Sequence, residues 1–287
     1  MRMISAFLGL VLLAGYSGTV CGGPPSDSKA SQIEITIKLK IKIETNGQAE
    51  TKKTKAKTPL YTERLRPQFH FTARQWTISK LNPAIKGADT HGGEEGWLND
   101  PNGLVYYKGE WHLFANGAGS YWVHAVSKDL VHWEELPPKL QRDDKLGNTA
   151  SGSAAVDWHN TSGFGTKDEK ALLAFFTGWT KKVQCMAYSI DRGRTWTKYA
   201  NNPILAHANR DPKVFWYEPE SKWVMIIYGP PKRSYLFFGS KDLRKWEKLS
   251  TFPDMYECPD MFQLPLDGDS KQMKWVLSDG NGSYVIG

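Results

Sequence analysis

Residues 127–133 read SKDLVHW, and a Ser-x-Asp element followed by Trp returns at residues 189–196 (SIDRGRTW) and 240–246 (SKDLRKW) of this 287-residue chain. The serines that open the three copies are 62 and 51 residues apart. Recurrence at such an interval is typical of repeat architectures, in which each repeat is one supersecondary unit. The chain is therefore expected to consist of stacked units of one kind.

Short runs of β-branched, aromatic and aliphatic residues precede each copy of the element. These runs are residues 104–107, 111–114, 172–176, 214–217, 223–228 and 235–238. Gly, Pro, Asn and Asp separate them, and no segment shows a sustained helical period. Four short strands in roughly 40 to 60 residues is the pattern of a β-propeller blade. A β-sandwich is the all-β alternative, but it offers no reason for a repeat of this length.

The blade count predicts an incomplete propeller. Three blades are nearly complete by Ser250, and a fourth begins near Glu257, which amounts to about three and a half blades. In each blade, the Ser-Asp-Trp element is expected to close the outer hairpin.

The first residues have the layout of a secretory leader. Arg2 precedes an apolar run at residues 4–14, and small residues dominate residues 15–23. The apolar run is too short to span a bilayer. The pattern predicts a signal peptide over residues 1–23 and a secreted or periplasmic protein, with a buried N-terminal helix as the alternative.

The segment after the leader differs from the rest of the chain. Apolar and polar residues alternate strictly over residues 33–44, which predicts a half-buried β-strand. Residues 52–57 contain four lysines and are predicted to form a solvated linker. With a boundary near Pro59, residues 24–58 form an N-terminal β-strand extension with a Lys-rich linker, and residues 59–287 form the propeller domain.

The charge distribution argues against nucleic acid as a partner. The net charge is +7, but most of the excess lies in residues 24–70, so the body of the protein is nearly neutral. Beyond the leader only Cys185 and Cys258 remain, which is too few for a disulfide framework or a spaced metal cluster.

Three acidic residues stand near the starts of predicted units, 111 and 46 residues apart, which corresponds to about two blades and one blade. They are Asp100 in WLNDPNG (97–103), Asp211 in RDP (210–212) and Glu257 in ECPD (257–260). Each alone has an ordinary explanation as part of a turn or a local ion pair. Innermost propeller strands meet at the central axis, so the three carboxylates are expected to meet there.

Together with further motifs, these residues resemble glycoside hydrolase family 32, the β-fructofuranosidases that include invertases, levanases and inulinases. The resemblance runs from about Arg66 to the last residue. It rests on WLNDPNG (97–103), WHLF (111–114), HAVSKDLVHWEELP (124–137), SGSAAVD (151–157), NTSGFG (160–165), RDP (210–212) and ECPD (257–260).

The resemblance implies a five-bladed-type propeller and a retaining glycosidase that cleaves β-fructofuranosidic bonds in sucrose, levan or inulin. It implies that Asp100 is the nucleophile, Glu257 the general acid/base and Asp211 a stabiliser of the transition state. Retaining cleavage needs the nucleophile and the acid about 5 to 5.5 Å apart and requires no metal or organic cofactor. Substrate contacts are expected at Trp97, Asn99, Asn116, Trp122, Ser151 and Arg210.

Departures from the family pattern leave other functions open. Asn116 stands where the family has Gln, and Ala150 where it has a pocket Phe, and both changes widen the predicted pocket. The family has a fifth blade and then a β-sandwich, neither is expected within these 287 residues, and the chain is therefore interpreted as C-terminally truncated. The alternatives are a fructosyltransferase, a non-catalytic fructan-binding module or an inactive remnant, and self-association is one way to supply a missing blade.

Overall fold

The computed structural model describes residues 70–73, 98–117, 121–142, 144–206, 209–231 and 233–287. The predicted signal peptide, the strand at residues 33–44, the boundary near Pro59 and Trp97 lie outside these residues. No helix in the described part of the chain combines the length and apolarity needed to cross a bilayer.

The described residues form four antiparallel sheets, each a simple meander. The first contains β1 (Pro101–Tyr107), β2 (Glu110–Gly117), β3 (Tyr121–Ser127) and β4 (Trp133–Leu136), and the second β5 (Thr149–Val156), β6 (Leu172–Gly178), β7 (Val183–Ser189) and β8 (Thr197–Lys198). The third contains β9 (Arg210–Tyr217), β10 (Lys222–Gly229), β11 (Ser234–Ser240) and β12 (Glu247–Pro253), and the fourth β13 (Asp260–Leu266), β14 (Asp269–Ser278) and β15 (Tyr284–Ile286). A short 3-10 helix, Glu218–Glu220, joins β9 to β10. Three four-stranded blades followed by a three-stranded one confirm the predicted all-β, incomplete propeller.

The Ser-Asp-Trp element forms the turn into the outermost strand, as predicted. In the third blade, Ser240 Oγ accepts the backbone N–H of Leu243 at 2.9 Å, and Asp242 Oδ1 accepts that of Lys245 at 2.9 Å. The indole of Trp246 donates to the Leu243 carbonyl at 3.1 Å. Equivalent bonds recur in the first and second blades. Because the donors and acceptors lie within seven or eight residues, a local motif can set this turn in each of the first three blades.

Apolar side chains fill the space between neighbouring blades. The cluster between the second and third blades includes Phe175, Met186, Trp223, Met225 and Leu236, all fully buried. Each such side chain contributes about 1.5 to 3 kcal/mol when it leaves water. Similar clusters join the first blade to the second and the third to the fourth. Packing between the blades therefore fixes how their inner strands lie against each other.

The inner strands run side by side in the same direction. The Gly152 N–H of β5 donates to Asn102 Oδ1 of β1 at 3.2 Å. Ser153 Oγ of β5 donates to the Pro212 carbonyl of β9 at 2.8 Å and accepts the Val214 N–H at 2.9 Å. The segments that lead into β1, β5 and β9 consequently meet at one end of the propeller.

Replacing Gly152 with Ala is expected to destabilise the fold. A methyl group at this position would overlap the backbone carbonyl oxygen of Phe175 on the neighbouring strand, which a flexible side chain cannot relieve. We expect a loss of about 1 to 3 kcal/mol or more in the free energy of unfolding, measured by urea denaturation. Gly280→Ala is the control, because its added methyl would meet nothing closer than 3.4 Å. Equal stability of the two variants would contradict the argument.

Candidate functional site

Asp100 lies immediately before β1 and is held by two side chains from neighbouring strands. Its Oδ2 accepts the Ser151 hydroxyl at 2.7 Å and the Asn116 amide at 3.4 Å. The same amide donates to Ser151 Oγ at 2.9 Å, and Asn102 Nδ2 donates to Asn116 Oδ1 at 2.8 Å. These bonds connect the first and second blades and fix the orientation of the carboxylate.

Asp211 is the second residue of β9 and has a left-handed backbone, with φ of 60°. Its N–H donates to Thr177 Oγ1 at 3.2 Å, and its Oδ2 accepts the backbone N–H of Cys258 at 3.4 Å. Only 11% of its side chain is exposed. Non-glycine residues rarely adopt this conformation, and such strain is concentrated at functional sites.

The ionisation of Asp211 connects all three predicted carboxylates. Burial raises the pKa of Asp211, and the negative charges of Glu257 and Asp100 raise it further. The Arg210 guanidinium and the Cys258 N–H oppose these effects. The three residues come from three separate blades, yet their charges act on one another. The structure therefore brings together the three residues on which the sequence motifs depend.

Glu257 precedes β13 in a segment where both it and Cys258 have positive φ, 44° and 43°. Its Oε1 pairs with Nη2 of Arg210. The Tyr235 hydroxyl donates to its backbone carbonyl at 2.6 Å, and burial raises the pKa of Tyr235. The neighbouring Glu257 side chain raises the pKa of the Tyr256 hydroxyl. A dense set of contacts thus holds an otherwise strained segment in place.

Arg210 bridges two of the carboxylates. Besides its pairing with Glu257, its Nε lies 3.7 Å from Oδ2 of Asp211. The guanidinium also lies 5.8 Å from the ring centroid of Tyr228. Its closest carboxylate belongs to a residue 47 positions away in the sequence, not to the aspartate beside it.

Comparison with known proteins identifies the family. The model of the glycosyl hydrolases family 32 N-terminal domain matches residues 92–284. The chain belongs to this family. The resemblance drawn from the motifs is therefore confirmed.

Family 32 relatives share much of this chain. It is 45% identical over 254 residues to a levanase of Bacillus subtilis, covering 81% of the chain and 34% of that protein. It is 36% identical over 230 residues to an extracellular exo-inulinase of Aspergillus niger, covering 65% of the chain and 43% of that protein. The solved β-fructofuranosidase of Schwanniomyces occidentalis, in complex with fructosyl-erythritol, superposes with a TM-score of 0.60 at 32% identity. That match covers 77% of this chain and 45% of that one, so the chain spans less than half the length of these relatives.

One predicted substrate contact of the family 32 site is wrong. Trp122 is only 1% exposed, its indole N–H donates to the Ala150 carbonyl at 2.9 Å, and its ring packs against Phe114. A large apolar side chain on β3 gains more from burial between the first two blades than it would at the surface. Trp122 therefore supports the wall beside Ser151 and presents no face to a sugar.

Several residues around the family 32 carboxylates were not predicted from the sequence. Thr177 and Tyr235 belong to apolar strand patterns, where nothing distinguishes a residue that touches the site.

Asn99 has an exposed side chain, as a substrate contact requires, and its N–H donates to the Asn116 carbonyl at 2.9 Å. Within the residues that the structure describes, no three His, Cys, Asp or Glu side chains are arranged to hold a metal ion.

Proposed function

We propose that this chain carries the catalytic centre of a retaining glycoside hydrolase that cleaves β-fructofuranosidic bonds in sucrose or fructans. The observation that carries the proposal is that Asp100, Asp211 and Glu257 come from three blades to one end of the propeller, where Ser151 holds Asp100 and Arg210 pairs with Glu257 and lies 3.7 Å from Asp211. The activities named for the relatives, levanase, exo-inulinase and β-fructofuranosidase, support the same bond as the target.

The proposed reaction has two steps. In the first, Asp100 attacks the anomeric carbon of the fructosyl unit while Glu257 gives its proton to the departing oxygen. In the second, Glu257 takes a proton from water, which attacks the same carbon and releases Asp100. Asp211, nearly enclosed, accepts hydroxyl groups of the fructosyl ring in both transition states.

The remaining residues of the site position these carboxylates or contact the sugar. Ser151 and Asn116 act through Asp100, because their polar groups are directed at its carboxylate. Asn99 is proposed to contact the sugar from the rim of the site, and Trp97 and Arg210 to contribute further contacts.

We also propose that the protein is exported from the cell. The leader pattern of residues 1–23 supports this proposal, and the Aspergillus niger relative is named as extracellular. Amino-terminal sequencing of protein from the culture medium tests it, and a chain that retains Met1 would contradict it.

Fructose release from sucrose, levan and inulin tests the proposed reaction. Purified chain without the predicted leader, folded and monodisperse, is expected to release fructose above the rate of an Asp100→Asn variant. Transfer of the fructosyl unit to a second sugar would show as free glucose in excess of free fructose from sucrose. A folded chain that binds fructan but releases no fructose would contradict hydrolysis and favour a binding module.

A further inference from the structure

We propose that Trp179 and Lys182, in the turn between β6 and β7, form a subsite for the sugar attached to the fructosyl unit, on the leaving-group side. The inference rests on the proposed function and adds to it the residues that favour a longer substrate. Neither residue belongs to the motifs that identify the family.

Strand pairing places this turn at the catalytic end of the second blade. Thr149, the first residue of β5, pairs with Gly178, the last residue of β6. The Trp179 N–H then donates to the Asn148 carbonyl at 3.0 Å. Ser151, which holds Asp100, follows on the same strand, so Trp179 lies at the end of the blade that carries the nucleophile.

The same turn is anchored to the segment that carries Asp211. Thr177, two residues before Trp179, accepts the Asp211 N–H at 3.2 Å, and the Asn209 N–H donates to the Lys182 carbonyl at 2.9 Å. Burial and the charge of Arg210 lower the pKa of Lys182, while Asp211 opposes the shift, so the ammonium group lies within electrostatic reach of both. The turn thus forms part of the rim around the carboxylates.

The chemistry of the two side chains suits a sugar. Trp179 is 41% exposed, and the Lys182 ammonium lies over one face of its indole ring. An indole ring packs against the apolar face of a sugar, and an ammonium group donates to its hydroxyls. The Asp211 side chain is 11% exposed and lies deeper than Trp179, and we infer that a fructosyl unit held by the carboxylates leaves the uncovered face of the indole to the next sugar.

Exposure of a tryptophan does not by itself distinguish this position. Trp158 is more exposed, at 55%, but it lies two residues beyond the last residue of β5, Val156, and therefore at the opposite end of the same blade. The two residues form a matched pair, because each is an exposed indole of the second blade and only Trp179 lies at the end of the blade that carries Ser151, the partner of Asp100.

Sugar binding to the full chain tests the subsite. In an Asp100→Asn background, calorimetry measures the affinity for free fructose and for a fructan trisaccharide. Adding Trp179→Ala is expected to weaken trisaccharide binding about tenfold and to leave fructose binding unchanged. Trp179→Phe should retain most of the affinity, since it preserves an aromatic face. Trp158→Ala should match its parent with both sugars.

The outcomes separate this subsite from the proposed function. Unchanged trisaccharide affinity in Trp179→Ala, or an equal loss for fructose and trisaccharide, would overturn the subsite. Trisaccharide binding without fructose release by the Asp100-containing chain would overturn hydrolysis alone, because the Trp179 comparison depends only on binding. Failure of the parent to bind either sugar would overturn both.

Discussion

Asp100→Asn is expected to lower the rate of fructose release by a factor on the order of 10⁴ or more. The amide has nearly the shape of the carboxylate and can still accept the Ser151 hydroxyl, so the fold should be retained. It cannot attack the anomeric carbon, and no covalent intermediate forms. The measurement is the initial rate with sucrose and with levan, alongside thermal unfolding of both proteins. Full activity in this variant would contradict the assignment of Asp100 as the nucleophile.

Glu257→Gln is expected to cost about 10² to 10⁴-fold with the same substrates, because the leaving oxygen then departs without a proton. A fructoside with an acidic phenol as leaving group needs no such proton, so its first step should be affected far less. Asp211→Asn should lose nearly as much activity as Asp100→Asn and show no such dependence on the leaving group. A uniform loss in Glu257→Gln across leaving groups would contradict the acid role.

Acidification from pH 7 to pH 5 is expected to reduce the stability of the fold, because a pair of histidines is buried inside the first blade. His112 Nδ1 and His124 Nε2 are 3.0 Å apart, and both side chains are almost fully enclosed. The His124 ring stacks on Phe114, with centroids 4.4 Å apart, and meets Trp196 edge-on. Protonation of both rings would place two positive charges together in an apolar interior.

Burial lowers the pKa of His112 from 6.5 to about 4. The negative charge of Glu110 opposes this shift, and the positive charges of Arg194 and Arg192 add to it. Burial lowers the pKa of His124 as well, with His112 and Arg194 adding to the shift. Below about pH 6.5 the unfolded chain therefore binds protons that the folded chain does not bind. The resulting stability is fully present above pH 6.5 and is lost as pH falls toward about 4. For His112 alone the loss is about 3 kcal/mol.

Urea denaturation between pH 7.5 and pH 5 measures this loss. The free energy of unfolding should fall with pH across the window, and His112→Gln should show a smaller slope because one titrating group is gone. His132→Asn is the control, since 78% of the His132 side chain is exposed and its pairing with Asp129 lies at the surface. A stability that does not change over this window would contradict the prediction.

Two histidines of the first blade show that spacing in a motif does not decide burial. His124 packs inside that blade, whereas His132 lies at its surface. Both occur in one motif, eight residues apart. Spacing alone does not decide which of them faces the core, because His132 lies in the turn, outside the alternation of a strand.

The sequence alone predicted several of the strands and the blade repeat, and it singled out three carboxylates as candidates for the site. Strand patterns depend on the alternation of neighbouring residues, and the Ser-Asp-Trp turn depends on hydrogen bonds within seven or eight residues, so both can be read locally. Asp100, Asp211 and Glu257 could be selected because each lies in a short motif near the start of a predicted blade.

Only the tertiary structure decided which partners these residues meet. Packing between blades turned Trp122 inward, directed Arg210 to Glu257 and placed Trp179 beside the segment of Asp211. Each of these contacts joins strands or turns that are distant in sequence, and its geometry depends on how whole sheets pack against each other. Local spacing carries no information about that packing, because many arrangements of the blades are compatible with the same alternation of apolar and polar residues.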